Sequence, residues 1–339
     1  MIRTLQLTLS HVGLGDLRES ALLEIFAGVQ AEALTAGTGV PLDEMVDRDG
    51  RMLYPAYYHT HLRVPPDRPL EQHRLWREVA VGVDVRTFGR MLLDSTYVLG
   101  RPGEVEEDPA RWEGSGLPVM RGANMFVVDG LEGEPQVSVP KAGCVAALPG
   151  LTAPPPSMDR FRRARTEGSL APHFQGNLAS SEPVRYRVAR GRDAAPGRNM
   201  PFSRFTDIME HAEWALLAER VAPAFPLPLL DSRRLLERET FYFDNCRGGE
   251  VVETRLRARL ARCRPDLHGT ATDVVSAGLL TTVLELTQHG TNALLAVSRA
   301  RKLFLVPTAR QSVLRDAERL LFQHTAENDR EDNPEEESR

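Results

Sequence analysis

The sequence predicts an α+β protein in which one structural unit, a long helix followed by antiparallel strands, occurs twice. At 339 residues the chain is long for one domain, and two domains of ordinary size are expected. The same order of elements occurs on both sides of a Pro- and Arg-rich stretch. Hydrophobic residues make up 42% of the chain, which is typical of a protein that buries a core.

Residues 1–150 are predicted to form the first unit. Leu17, Ala21 and Ile25 recur at helical spacing, which predicts an amphipathic helix over Leu17–Leu34. Strand-like alternation follows. It covers residues 51–64, 77–99, 122–130 and 135–141.

Residues 151–182 are predicted to be an exposed connector, and residues 183–324 the second unit. This unit begins with a strand, "VRYRVARG", and continues with a helix over Phe202–Val221. Strand-like segments follow at residues 239–246, 250–261, 274–288 and 292–307, and a closing helix is expected over residues 308–324. Two unrelated α+β domains are the alternative to an internal repeat.

The acidic charge of the chain is concentrated at its C-terminal end. The 13 residues from Glu327 to Arg339 contain seven acids and two bases, which leaves 40 acids and 40 bases elsewhere. A neutral body of this kind indicates neither a nucleic-acid partner nor binding to an anionic membrane. Residues 325–339 contain no large apolar side chain, so we expect a disordered tail that activity does not require.

Several classes of site lack their usual sequence signals. The three cysteines (Cys144, Cys246 and Cys263) have no metal-ligand spacing, so neither a metal site nor a disulfide framework is expected. No apolar run is long enough for a membrane helix, and a cytoplasmic location is the expectation. Walker, GxGxxG, GxSxG and HExxH patterns are absent from the sequence.

A tyrosine-rich segment, "LYPAYYHTHLRV", has a strand pattern with two distinct faces. Strict alternation places Tyr58 and Thr60 on the apolar face, toward the helix, where each hydroxyl needs a hydrogen-bond partner. It places Tyr57, His59 and His61 on the outer face. Two histidines without a third ligand at a recognisable spacing are expected to be solvated.

An isolated carboxylate, Asp193, lies in a Gly- and Pro-rich loop immediately before the second long helix. Three roles are open from the sequence: a solvated loop residue, a group that interacts with the helix N-terminus, and a catalytic base. The nearby strand with Arg255, Arg257 and Arg259 is expected to be solvent-exposed. Binding of coenzyme phosphates is the alternative role for these arginines.

The segment "VRYRVARGRDAAPGRNMPFSRFTDIMEHAEWALL" resembles the opening of hot-dog-fold acyl-thioester enzymes, which have a strand, an Asp-containing loop and an aromatic-rich helix. The whole chain resembles the double-hot-dog biosynthetic proteins related to the leinamycin-pathway bifunctional acyltransferase/decarboxylase. The shared features are the chain length, "GLGDLRESALL" at the first helix, and the tyrosine-rich strand. The resemblance implies a double hot-dog fold, with two helix-wrapped antiparallel sheets in one chain.

The resemblance also implies decarboxylation of methylmalonyl-CoA and delivery of the propionyl group to an acyl carrier protein. Its candidate catalytic tyrosine corresponds to Tyr58, with Tyr57 as the alternative, and Thr60 and His61 are expected to contact substrate. The tyrosine acts either as a hydrogen-bond donor, which we favour, or as a transient nucleophile. The CoA thioester is a substrate, and no cofactor is implied. Two fused hot-dog units in one chain correspond to the usual dimer of single hot-dog units, so a monomer or a homodimer of this chain is expected.

Two other functions remain open from the sequence. A hot-dog thioesterase or dehydratase would use the same pocket, with Asp193 or a histidine as the base. A non-catalytic acyl-binding protein would have lost the active residues. Asp193 corresponds in position to the catalytic carboxylate of simple hot-dog thioesterases, whereas a decarboxylase that must preserve its thioester gains nothing from activating water there.

Overall fold

The computed structural model describes residues 1–13, 16–129, 135–141, 145–167, 179–180, 182–193, 199–220, 233–263, 274–307 and 314–317. The acidic tail and most of the closing helix lie outside these residues. Residues 314–317 are helical, and Leu314 and Ala317 join the main core. Among the described helices, none combines the length and apolar character needed to cross a membrane.

The first half consists of a long helix, α1, and eight strands. Helix α1 covers Glu19–Thr38 and ends at Gly39, which has a left-handed φ of 69°. The strands are β1 (Ile2–Gln6), β2 (Val12–Gly13), β3 (Asp16–Leu17), β4 (Tyr54–Arg63), β5 (Glu78–Phe88), β6 (Leu92–Gly100), β7 (Val119–Asp129) and β8 (Pro135–Val137).

The second half repeats this order around a second long helix, α3, over Phe202–Arg220. Its strands are β9 (Ala179–Ser180), β10 (Val184–Arg187), β11 (Arg234–Tyr242), β12 (Val251–Cys263), β13 (Val274–Gln288) and β14 (Leu294–Pro307). The predicted positions of both long helices and of the main strands are therefore close to the observed ones.

The two halves share one antiparallel sheet of 12 strands. The strand order is β1-β5-β6-β7-β4-β11-β14-β13-β12-β10, with β8 beside β7 and β9 beside β12. Strands β4 and β11 join the halves, with Thr60 opposite Thr240. Residues of α1 and α3 belong to one continuous apolar core with the inner face of this sheet, so the helices lie together on that face.

The predicted connector contains a third helix, α2, over Pro156–Glu167. It packs on the outer face of the sheet: Ala164 contacts a cluster with Phe241 and Val297, and Phe161 contacts the ring of Tyr58. The predicted connector therefore includes a helix with one face on the sheet: Ser157 and Ala164 are buried, whereas most of its other residues are exposed. Its apolar residues, although few, are spaced to cover a second apolar patch on the sheet.

A buried ionic cluster holds the two helices to the sheet at the junction of the halves. Arg238 on β11 pairs with Glu19 of α1 at 2.8 Å and with Glu210 of α3. Lys302 on β14 pairs with Glu210 at 2.5 Å and with Glu213 at 2.7 Å. Because all of these charges except that of the partly exposed Glu210 are desolvated, each of the buried ones depends on its partners.

Candidate functional site

A cavity of about 430 Å³ lies between the two halves, beyond the last paired residues of β4 and β11 (His59 and Phe241), and side chains from both faces of the sheet line it. This volume is within the usual range for small-molecule sites. Its wall is formed by α1, the start of β4, the end of β11 and the residues that lead into α3. Its polar and aromatic residues include Gln30, Tyr57, Asn199, Phe202, Tyr242, Asp244 and Asn245.

A β-bulge in β4 determines which tyrosine faces the helices. Tyr57 pairs with Asn124 of β7 and His59 pairs with the preceding residue, Ala123, so Tyr58 is an extra residue on its strand. Tyr57 therefore belongs to the inner core, whereas Tyr58 belongs to a cluster under α2 on the outer face. The predicted orientation of Tyr58 toward the helix is wrong by one residue, because strict alternation does not hold across a bulge.

Tyr57 is part of a buried network of uncharged hydrogen-bonding groups. Its hydroxyl donates to Gln30 Oε1 at 3.0 Å and lies 2.7 Å from the hydroxyl of Tyr97. Gln30 Nε2 donates to Ser95 Oγ at 2.8 Å and to Asn124 Oδ1 at 2.9 Å. The network thus fixes the amide orientation of Gln30 and the position of the Tyr57 hydroxyl at the cavity wall.

The environment of Tyr57 keeps its hydroxyl protonated. Burial raises the pKa of Tyr57 well above its ordinary value, and burial also raises the pKa of Tyr97. Gly122 on β7 leaves room for both rings, because a Cβ there would lie 2.8 Å from Tyr57 and 3.2 Å from Tyr97. A protonated, sterically fixed phenol is suited to donating a hydrogen bond and poorly suited to acting as a nucleophile.

The start of α3 is held against Tyr57. Asn245 accepts from the backbone N–H of Met200 at 2.9 Å and donates to its carbonyl at 3.1 Å. Asn199 donates to the hydroxyl of Tyr54 at 3.2 Å. Phe202, the first residue of α3, packs on Tyr57 with ring centroids 4.1 Å apart. The N-terminus of α3, with Pro201 and Phe202 in the cavity wall, therefore lies beside Tyr57.

Tyr58 has a different environment. Its hydroxyl lies 3.2 Å from Ser157 Oγ of α2, and its ring contacts Phe161 edge-on. Burial raises the pKa of Tyr58, which disfavours the alternative role as a nucleophile. Tyr58 borders the cavity, but the hydrogen bond of its side chain is made to α2 on the outer face.

The two predicted substrate contacts lie on opposite faces of β4. Thr60 points inward, and its hydroxyl lies 3.3 Å from that of the cavity residue Tyr242. His61 points outward, with Nε2 2.8 Å from Glu237, which does not favour contact with a ligand in the cavity. His59 is also on the outer face but is only 3% exposed and lies 3.0 Å from Glu239, so the expectation that it is solvated is wrong.

Asp193 is fully buried and surrounded by hydrogen-bond donors. It accepts from the Tyr186 hydroxyl at 2.7 Å, the Ala189 N–H at 2.8 Å, Arg192 at 3.0 Å and Arg204 at 2.9 Å. Burial alone would raise the pKa of Asp193, but these bonds outweigh it and hold the pKa well below its usual range. A solvated loop position is therefore wrong, and the geometry favours an anchor over a base.

Sequence reasoning missed Gln30, Tyr97 and Asn124. The position of Gln30 could have been recognised from the sequence, because Phe26, Gln30 and Leu34 are four residues apart on the same buried face of the helix. A polar side chain at such a position needs a buried partner. Tyr97 and Asn124 carried no comparable signal, since their meeting with Gln30 depends on how three strands and a helix pack.

Comparison with solved structures gives the fold. A protein assigned as an oleoyl thioesterase, from Lactobacillus plantarum, superposes with a TM-score of 0.56 and 11% identity, covering 90% of this chain and 96% of that one. A 12:0-ACP thioesterase from Umbellularia californica gives a TM-score of 0.52 and 12% identity, with coverage of 89% and 93%. An acyl-ACP thioesterase from Bacteroides thetaiotaomicron gives a TM-score of 0.50 and 12% identity, covering 89% of this chain and 97% of that one.

Neither a protein-family model nor a curated protein matches the sequence. The structural similarity nevertheless extends over nearly the whole chain and nearly the whole of each thioesterase. It includes both helix-and-sheet halves, and it confirms the fold class. The chain adopts the double hot-dog fold.

Proposed function

We propose that this protein is an enzyme that hydrolyses an acyl thioester whose acyl chain is apolar. The observation that carries the proposal is the cavity between the halves, where an apolar wall meets the Tyr57 hydroxyl. An apolar cavity with a few convergent polar groups is the usual form of a small-molecule site. The three solved structures that share this fold are thioesterases by name, which supports the same reaction class.

Tyr57 and the start of α3 would together polarise the thioester carbonyl. Attack on that carbonyl develops negative charge on its oxygen, and fixed donors stabilise the charge as it forms. The Tyr57 hydroxyl would be such a donor once its single proton turns from Gln30 Oε1 to the carbonyl oxygen, and the first amides of α3 would be others. Packing of Phe202 on Tyr57 holds the two sources of hydrogen bonds next to each other.

Asp244 is the candidate base for hydrolysis. Among the described residues that line the cavity, it is the one with a charged side chain, and its carboxylate accepts from the N–H of Asn245 at 2.8 Å. It would take a proton from water as the water oxygen bonds to the carbonyl carbon. The tetrahedral intermediate then expels the thiolate, which is protonated, and the products are a free acid and a thiol.

Decarboxylation is the second candidate, and the protonation of Tyr57 favours it. A methylmalonyl thioester that loses CO₂ leaves its electron pair as an enolate, which a neutral phenol stabilises at the oxygen. Protonation at carbon then gives a propionyl thioester. Transfer of that group to the thiol of an acyl carrier protein would complete the bifunctional reaction that the sequence resemblance implies.

Products distinguish these functions. The purified protein is incubated separately with lauroyl-CoA and with methylmalonyl-CoA, and the products are identified by mass spectrometry. Free lauric acid and CoA are the expected result. Propionyl-CoA from the second substrate would favour decarboxylation, and an absence of turnover with both would favour a non-catalytic acyl-binding protein.

A further inference from the structure

A second cavity adjoins the acyl cavity on the outer side of the sheet. It has a volume of about 330 Å³ and lies between α2 and strands β4, β6 and β7. Tyr58 and Met125 line both cavities, so the two spaces have a common wall at the β4 bulge. The other residues of its wall are Leu92, Met158, Phe161, Arg162, Arg165 and Thr166.

The charge in this second cavity is carried by Arg162 and Arg165 of α2. Among the described residues, Arg162 has one ion pair, with Asp159 at 3.4 Å, and the side chains of Arg162 and Asp159 are largely exposed. A pair of this kind contributes little and competes poorly with a better anion. Within the described part of the chain, Arg165 has no carboxylate partner. Two guanidinium groups are thus available at one end of an otherwise apolar space.

This arrangement fits an elongated ligand with a phosphate at one end. Leu92, Met158 and Phe161 offer apolar contact between the shared wall and the arginines. Arginine binds phosphate through two parallel N–H donors. A pair of arginines therefore favours a ligand with a phosphate over a ligand with one uncharged acceptor. If the acyl chain of a thioester fills the first cavity, the pantetheine group on the other side of the thioester must lie in a neighbouring space, and the second cavity is such a space.

We propose that Arg162 and Arg165 bind the phosphate of the pantetheine arm that carries the acyl group. This inference rests on the proposed function, since it assigns the carrier end of the same substrate. The phosphate belongs to coenzyme A or to the phosphopantetheine group of a carrier protein, and the shared chemistry is a phosphate linked to pantetheine.

Helix α2 provides a matched control at Arg163. This residue lines a different cavity, of about 250 Å³, together with Arg160, Glu167 and Glu239. Arg160 pairs there with Glu239. Substitution of Arg163 removes one positive charge from the same helix without changing the cavity that contains Arg162 and Arg165, so it reports the effect of net charge alone.

Binding is tested by isothermal titration calorimetry with three probes: CoA, 4′-phosphopantetheine and pantetheine. The variants are the double substitution Arg162→Ala/Arg165→Ala and the control Arg163→Ala. We expect the double variant to lose about tenfold in affinity for both phosphate-containing probes. Its affinity for pantetheine should equal that of the wild type, and Arg163→Ala should bind all three probes like the wild type.

The outcomes separate the phosphate attached to pantetheine from the adenosine phosphates of CoA. A loss for CoA alone would overturn binding of the arm's own phosphate, because the arginines would then contact the adenosine phosphates. Equal losses in the double variant and in Arg163→Ala, or unchanged binding in both, would also overturn the proposal. Arg165 lies in the last turn of α2, so thermal unfolding is measured for each variant. A double variant with altered unfolding is replaced by Arg162→Gln/Arg165→Gln.

The binding test does not depend on turnover. If no acyl thioester is hydrolysed or decarboxylated, the proposed function fails while calorimetry still reports whether the arginines hold the phosphate. Where turnover is found, the double variant should have a KM for acyl-CoA raised by about tenfold with kcat within about twofold of the wild type. A fall in kcat with an unchanged KM would contradict a role in binding the carrier.

Discussion

The hydroxyls of Tyr57 and Tyr97 lie 2.7 Å apart, beneath the cavity between the two halves. Tyr57 donates its proton to Gln30, so Tyr97 supplies the proton of the short contact between the two phenols. Donation from Tyr97 polarises the Tyr57 hydroxyl, so its single proton becomes a stronger donor when it turns from Gln30 to a ligand oxygen. The consequence is that Tyr57, and not Tyr58, has the position from which a thioester oxygen can be stabilised.

Tyr57→Phe should lower kcat by about 10²- to 10³-fold, the usual cost of one oxyanion donor. Tyr58→Phe removes an equivalent hydroxyl from the outer face and should lower kcat by less than about threefold, because its partner is Ser157 of α2. Steady-state kinetics with the thioester identified in the product assay measures both variants. A larger loss of kcat for Tyr58→Phe than for Tyr57→Phe would identify Tyr58, the residue predicted from the sequence, as the catalytic tyrosine.

The reversal of the two tyrosines shows where the sequence pattern stops being informative. Alternation correctly predicted that Thr60 and Leu62 face the core, because both follow the bulge. Alternation failed at Tyr58 because the β-bulge arises from the pairing of β4 with β7. A bulge of this kind has no recognisable pattern in the sequence of the strand. Two adjacent tyrosines were compatible with either register.

The larger architecture was predictable for a different reason. Each half has a helix followed by strands. This order is predictable because the type of each element is determined by the local pattern of apolar residues. The pairing of β4 with β11 and the packing of α2 on the outer face depend on contacts between distant segments. For the same reason the ligand cavity at the junction of the halves was not visible from the sequence.

Gly122→Ala should lower activity without removing any catalytic hydroxyl group. The added methyl group would lie 2.8 Å from the ring of Tyr57, so the ring must move. Overpacking of this kind typically costs about 1–3 kcal/mol of stability. We expect kcat to fall at least tenfold, because the displaced hydroxyl no longer meets the carbonyl oxygen. Gly28→Ala, at a position where a Cβ has no neighbour within 4 Å, is the matched control for kinetics and urea denaturation.

Asp244→Asn distinguishes hydrolysis from decarboxylation. If Asp244 takes a proton from the attacking water, the substitution should lower the rate of thioester hydrolysis by about 10²- to 10⁴-fold. Decarboxylation requires no water attack and should be little affected. The two rates are followed as free acid and as propionyl thioester by mass spectrometry. Hydrolysis that persists at the wild-type rate would exclude Asp244 as the base.

Lys302→Met should destabilise the protein by about 3 kcal/mol. The substitution leaves the fully buried carboxylate of Glu213 and the partly buried one of Glu210 without their shared ammonium partner. Urea denaturation followed by circular dichroism measures the free energy of unfolding. Arg86→Met breaks an exposed pair with Asp84 at 2.8 Å and should cost less than about 1 kcal/mol. Equal effects would show that the buried cluster contributes no more than a surface pair.

Asp193→Asn should reduce stability in a pH-dependent manner, because the carboxylate binds Arg192, Arg204, Tyr186 and a backbone N–H in the folded state. These donors hold its folded pKa below the value of about 3.9 that an unfolded aspartate has. A lowered folded pKa stabilises the fold fully at pH values above the unfolded pKa, and this contribution disappears as the pH falls toward the folded pKa.

The wild type should therefore exceed Asp193→Asn by about 3 kcal/mol in its free energy of unfolding near pH 7, and the difference should narrow below about pH 4. Urea denaturation at pH values from 3 to 7 measures it. A difference that stays constant with pH would contradict an ionised anchor. Because Asp193 does not line the cavity, the folded variant should retain kcat within about threefold at pH 7. A fall of about 10²-fold or more would instead identify Asp193 as the general base, the role that its position before α3 left open.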